Sequence, residues 1–152
     1  MKTKIPADEV LGRFGEVRRQ INLIATKELM GSGIGPKQLV FLRFIAKHGR
    51  VCLSQLSRGT FSDPAAVGRA VDTLVNQGWL IRAQHPEDRR KWLLTLTPKG
   101  KTRMSDVNRA YKSISQKMAR SLSDEERKVF LSMLGKIYFD LDRHLAAKTA
   151  RV

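Results

Sequence analysis

Residues 63–78 read Asp-Pro-Ala-Ala-Val-Gly-Arg-Ala-Val-Asp-Thr-Leu-Val-Asn-Gln-Gly. This is a helix with both ends marked and an outer face that is nearly bare. Asp63 can accept a hydrogen bond from a free backbone N–H, and Pro64 in the first turn lacks the N–H that would be orphaned there. Gly78 can take the left-handed conformation that closes the far end. At about 100° per residue, Val67, Val71 and Leu74 share the core face, with Ala70 and Val75 at its edges. Ala65, Arg69 and Asn76 point away from it. The first two turns therefore present small side chains and one arginine, a surface that can approach another molecule closely. A DNA major groove admits such a helix. An ordinary surface helix is the simpler reading of this segment alone. The flanking segments favour the groove.

Before it, residues 37–48 form a helix that starts after Pro36 and stops at Gly49. Leu39, Val40, Phe41, Leu42, Phe44 and Ile45 make it apolar around most of its circumference, so it is expected to be buried on several sides. Residues 50–53 are a short extended piece. Ser54 is expected to cap a third helix at 55–58, with Leu56 facing in. Residues 59–62, Gly-Thr-Phe-Ser, turn into the capped helix. The order of helix, tight turn and capped helix is a helix-turn-helix pattern.

After Gly78 the apolar period changes to two. Trp79, Ile81 and Ala83 alternate with Leu80, Arg82 and Gln84, and residues 92–96 form a second strand. The loop between them, residues 85–91, carries Arg89, Arg90 and Lys91 in succession. Two strands and a basic loop directly after a helix-turn-helix read as a wing, whose tip meets the DNA backbone or the minor groove. Asp88 is expected to pair with a neighbouring arginine.

Long helices bracket this module. Residues 8–30 carry Val10, Phe14, Val17, Ile21 and Ile24 in a heptad-like stripe. Thr97 and Pro98 open a helix with Met104, Val107, Tyr111, Ile114 and Met118 on one face. Ser123 and Glu126 form a capping box for the last helix, whose face holds Phe130, Leu134, Ile137, Leu141 and Leu145. The terminal stripes have little beyond each other to pack on, and a second copy would cover them. A two-fold homodimer would also set two recognition helices about one DNA turn apart. The expected organisation is a dimerisation helix at 1–35, a winged helix-turn-helix at 36–97 and dimerisation helices at 98–152. Together they make one intertwined, mainly α domain with a small β-hairpin wing.

Charge supports the same partner. Lys plus Arg number 29 against 14 Asp plus Glu, a formal net charge of +15. Such an excess attracts double-stranded DNA or an anionic membrane surface. No apolar run approaches the ~18 residues that span a bilayer, and no basic amphipathic helix is free of core duties, so no membrane partner is expected. No apolar signal core follows the first lysines. The lone cysteine, Cys52, suits a reducing cytoplasm and reads as a buried structural thiol.

The chain resembles the MarR family (multiple antibiotic resistance regulator family) over about residues 8–145. Three stretches carry the resemblance: Pro36-Lys37-Gln38-Leu39 to Leu53-Ser54-Gln55-Leu56, Val67 to Leu74 with Gly78-Trp79-Leu80-Ile81-Arg82, and Asp88-Arg89-Arg90-Lys91 to Leu96-Thr97-Pro98-Lys99-Gly100. The resemblance implies a homodimeric transcription factor, usually a repressor of palindromic sites, released by a small aromatic or acidic effector. It places Arg69 at the recognition-helix arginine. It places Asp88 and Arg90 on the wing motif, where the acid orders the loop and the arginine enters the minor groove. The sequence departs from the family at Ala65, Ala66 and Gly68, where Ser or Thr is frequent, and Ala65 or Ala66 is expected to touch a thymine methyl instead.

The expected DNA contacts are Ser62, Ala65, Ala66, Gly68 and Arg69 on the recognition helix and Asp88, Arg89, Arg90 and Lys91 on the wing. An anionic or phenolic effector is expected near Arg13, Arg18, Phe44 and His48, where a guanidinium can hold a carboxylate with two hydrogen bonds. Gly68 reads equally as a close packing point and as a place where the DNA backbone approaches. No catalytic set assembles, and His48 with Cys52 is too small a set for a metal. No metal, cofactor or enzymatic activity is expected. The rival reading is a basic architectural protein that coats DNA with little sequence preference.

Overall fold

The structure is a computed structural model, and it describes residues 5–149. Its elements in chain order are α1 (Ala7–Glu28), α2 (Pro36–His48), β1 (Val51–Cys52), α3 (Leu53–Gly59), α4 (Pro64–Asn76), β2 (Leu80–Gln84), β3 (Trp92–Leu96), α5 (Pro98–Ala119) and α6 (Asp124–Thr149). The chain divides into two compact units, Met1–Ile114 and Ser115–Val152. Leu29 and Ile34 ahead of α2, and Val107 and Ala110 of α5, join the same core as the winged module.

That core lies in the first unit. Leu39, Phe41, Leu42 and Ile45 of α2 meet Leu56 of α3 and Val67, Val71 and Leu74 of α4, with Leu80 and Leu94 of the sheet closing it. Helix α2 is buried on several sides as its composition predicts, although Val40 stays exposed.

The sheet has three strands in the order β1-β3-β2, all antiparallel. The extended piece is thus more than a connector: Val51 pairs with Leu94 and Cys52 with Leu93, so β1 occupies the edge of β3 that β2 leaves open. In β2 the buried face belongs to Leu80, while Ile81 is 55% exposed. The expected apolar set of Trp79, Ile81 and Ala83 is therefore not one buried face. Trp79 is buried for another reason. Its N–H donates to Leu74 O at 2.9 Å, and the Gly78 N–H donates to Val75 O at 2.9 Å. These two bonds with Gly78 at φ +73 form the left-handed closure of α4. Trp79 is the apolar residue that seals this closure, one position ahead of the strand.

Helix α3 also departs from expectation. It starts at Leu53, and Ser54 lies inside it. The Gln55 Oε1 accepts from the Cys52 N–H at 2.8 Å, which satisfies an orphan donor and starts the helix earlier. Cys52 is half-buried rather than buried, with Sγ 3.0 Å from Ser54 Oγ.

Helix α5 is docked through its first turn. The Thr97 Oγ1 accepts from Gly100 N at 2.9 Å and donates to Gly78 O at 2.6 Å. A Cβ at Gly100 would lie 2.0 Å from the Trp79 carbonyl oxygen. The Leu-Thr-x-x-Gly stretch is therefore the joint between the sheet and α5. In the second unit, Ser123 and Glu126 make the predicted reciprocal cap on α6, at 2.7 and 3.2 Å.

Candidate nucleic-acid interface

Helix α4 is held as its sequence specifies. The Asp63 Oδ1 accepts from the Ala66 N–H at 2.9 Å, and Pro64 occupies the first turn. Ala65 and Arg69 are exposed, with Ala66 and Gly68 half-buried beside them. A Cβ built at Gly68 would meet nothing within 4 Å, so close packing does not explain this glycine. Among the described residues the Arg69 guanidinium makes no hydrogen bond or ion pair. At the outer flank, Arg82 of β2 pairs with Asp72 of α4 at 2.5 Å, which ties the helix to the hairpin.

The turn before α4 uses its own hydroxyls. Ser57 Oγ donates to Ser62 O at 2.6 Å, Thr60 Oγ1 to Leu56 O at 2.6 Å, and Ser62 Oγ to Thr60 O at 3.1 Å. Ser62 is thus a structural member of the turn as well as a neighbour of the outer face. Phe61 between them has φ +51 and is 78% exposed. Sequence reasoning passed over it, because a single aromatic in a turn has no periodic signal.

The hairpin pairs from Leu80↔Leu96 to Gln84↔Trp92, leaving residues 85–91 as its loop. Asp88 organises that loop. Its Oδ1 accepts from the Arg90 N–H at 3.1 Å and from Arg90 Nε at 3.3 Å, and Oδ2 lies 3.5 Å from Lys91 Nζ. The Arg90 backbone N–H, then its guanidinium, hold the Asp88 carboxyl below the ordinary carboxylate range. The loop is closed by His85 N donating to Lys91 O at 2.9 Å. The Arg90 side chain remains 92% exposed, and Arg89 and Lys91 are exposed as well. A carboxylate thus shapes the loop by engaging Arg90 and Lys91, while all three cations stay exposed.

Comparison with known proteins decides what this arrangement is. A family model described as MarR family matches residues 32–91, the span from the end of α1 to the wing loop. The HTH-type transcriptional regulator BilQ of Clostridium symbiosum (strain WAL-14163) is 28% identical over 131 residues, covering 86% of this chain and 91% of that protein. The HTH-type transcriptional repressor YetL of Bacillus subtilis (strain 168) is 27% identical over 125 residues, 81% of this chain and 75% of that one. Among solved structures, Bordetella bronchiseptica BpsR, described for regulation of its DNA binding by 6-hydroxynicotinic acid, superposes with a TM-score of 0.79. It is 25% identical, over 86% of this chain and 98% of that one.

Over residues 32–91 the chain is similar to the MarR family of regulators. It is a DNA-binding transcriptional regulator with a winged helix-turn-helix fold.

The four residues expected around an effector do not converge. Phe44 and His48 do meet, with ring centroids 4.3 Å apart. They line an open cleft of about 350 Å³ with Arg50, Val51, Gln55 and Arg58. Gly59 makes room for the ring, because a Cβ there would sit 2.2 Å from Phe44 Cε2. Arg13 instead pairs with Glu16 at 3.0 Å on the surface of α1. Arg18 borders a separate groove formed by α1 alone. The cleft cations Arg50 and Arg58 were not legible in the sequence, since they fall outside any apolar stripe. In neither is the guanidinium paired among the described residues.

No group of three or more potential metal ligands occurs among the described residues, and no described helix is long and apolar enough to cross a membrane. Partial burial raises the Cys52 thiol pKa, but hydrogen bonds from Ser54 and neighbouring backbone outweigh it and leave it below the ordinary value.

Proposed function

We propose that this regulator is a homodimeric MarR-family repressor of palindromic operators, released by a small aromatic or acidic effector. The observation that carries the reading is the outer face of α4: exposed, capped, open at Gly68 and holding an arginine that no described residue engages. In this reading Ser62, Ala65, Ala66, Gly68 and Arg69 form the major-groove surface. Arg90 enters the minor groove, Asp88 orders its loop, and Arg89 and Lys91 neutralise phosphates.

The dimer rests on apolar surface. Val10, Phe14 and Val17 of α1 are each about half exposed, at 52%, 52% and 50%, and Ile137, Leu141 and Leu145 of α6 are exposed too. Residues 1–35 and 98–152 then act as dimerisation segments around the module at 36–97.

For the effector, the Phe44–His48 pair supplies an aromatic wall and Arg50 and Arg58 supply cations. An aromatic carboxylate is the matching chemistry, the class to which the acid named for BpsR belongs. It lowers DNA affinity by binding the DNA-incompetent state more tightly; typical couplings of about 1–3 kcal/mol correspond to a change of roughly 5–150-fold. Arg13 and Arg18 remain the alternative seat, on α1.

The DNA reading is tested with two variants. Arg69→Ala should cost roughly 1–3 kcal/mol on a specific site and relax preference at one base position per half-site. Lys91→Ala should weaken all sequences alike and lower the salt slope. Equal losses from Arg69→Ala on specific and random DNA would contradict base readout. For the effector, a panel of aromatic acids is titrated into the protein–DNA complex. Release should be abolished by Arg58→Ala and retained by Arg18→Ala, and the reverse pattern would seat the ligand on α1.

A further inference from the structure

The chemistry left on the outer face of α4 is unusually poor in hydrogen-bond donors. Ser57, Thr60 and Ser62 direct their hydroxyl protons to backbone carbonyls of the preceding turn. Thr73 Oγ1 donates to Arg69 O at 3.1 Å. The Asp63 carboxylate is engaged by Ala66 N, and Asp72 by Arg82. The first two turns then offer the groove the methyl groups of Ala65 and Ala66, the bare backbone at Gly68, and Arg69. Just ahead of them stands the Phe61 ring, 78% exposed on a left-handed backbone that favours glycine. A large apolar side chain this exposed, on a strained backbone next to the start of α4, is available to an apolar group of a bound duplex.

Three of the four base edges in a major groove are read through hydrogen bonds alone. Thymine alone adds an apolar group, the 5-methyl. We infer that α4 reads thymine by its 5-methyl group, through Ala65, Ala66 and Phe61, and that Arg69 supplies the single hydrogen-bonded base contact. Specificity here comes mainly from shape and apolar burial. The inference rests on the proposed placement of α4 in the major groove and adds which bases it selects and how.

The test replaces each thymine of a selected half-site, one at a time, by uracil. This exchange removes only the methyl and keeps every hydrogen-bonding edge. At one or more positions, affinity of the intact protein should fall by about fourfold per buried methyl. Ala65→Gly or Phe61→Gly should erase that uracil penalty. Phe61→Gly removes the ring at a backbone angle that glycine adopts readily, so its folding, checked by circular dichroism, is expected to be intact. If no thymine is sensitive while Arg69→Ala still relaxes base preference, α4 lies in the groove and methyl readout is overturned. If neither uracil nor Arg69→Ala discriminates among sequences, the placement of α4 fails, and methyl readout fails with it.

Discussion

A methyl group added at Gly100 would lie 2.0 Å from a backbone oxygen, whereas one added at Gly68 would meet nothing within 4 Å. Two glycines in helices thus carry opposite predictions. Gly100→Ala forces the α5 first turn away from Trp79 and should destabilise the protein by roughly 1–3 kcal/mol, seen as a lower urea midpoint. Gly68→Ala should stabilise the free protein by about 0.5–1 kcal/mol, because alanine costs less in a helix interior. The same methyl would meet DNA wherever the helix backbone runs close to it, so the variant should fold better and bind its site worse. A Gly68→Ala protein that binds as well as the parent would leave this glycine without a functional account. The sequence could not separate packing from close approach at residue 68, because both demand the same absent side chain. Only the empty space around it separates them.

The wing shows how far an element can be read. Its strands, its cationic loop and the pairing of Asp88 with an arginine follow from period and charge, the ordering of the loop by Asp88 is implied by the family resemblance, and each is present. What the sequence hid are pairings that no local pattern encodes. The β1–β3 ladder joins residues more than forty apart in the chain. Trp79 sat in phase with a strand but belongs to a helix closure. Helix α3 begins before its apparent serine cap because a glutamine reaches back. The cleft beside α2 is the clearest case: Phe44 and His48 share a helix face and could be paired from sequence, but Arg50 and Arg58 join them only through the fold. For the wing itself, the direction of the Asp88 shift sets the pH response. A carboxyl held below its ordinary range contributes loop order that is complete above that range and is lost as pH falls through the folded value. DNA affinity should therefore show no Asp88-dependent change from about pH 8 down to about pH 5. Asp88→Asn should lower affinity at every pH in that window with little change in thermal midpoint, as its carboxylate is not part of the core. A variant that loses affinity only at the acid end would contradict the assignment.

At the scale of the whole molecule, charge and apolar surface point to the same assembly. A net charge of +15 draws the protein to DNA of any sequence. Exposed residues such as Phe14 and Leu141 give it surface that a second copy can cover. Light scattering at micromolar concentration should return about twice the 17.2 kDa chain mass, and a folded monomer would remove the basis for a palindromic site. Charge alone, however, fits an architectural coat equally well, and only base readout separates a regulator of particular sites from such a coat. Selection of bound duplexes from a random library measures this directly. The account predicts an inverted repeat whose half-site centres lie about one helical turn apart, roughly 34–36 Å. A pool that stays random through successive rounds, with binding set by salt alone, would contradict it.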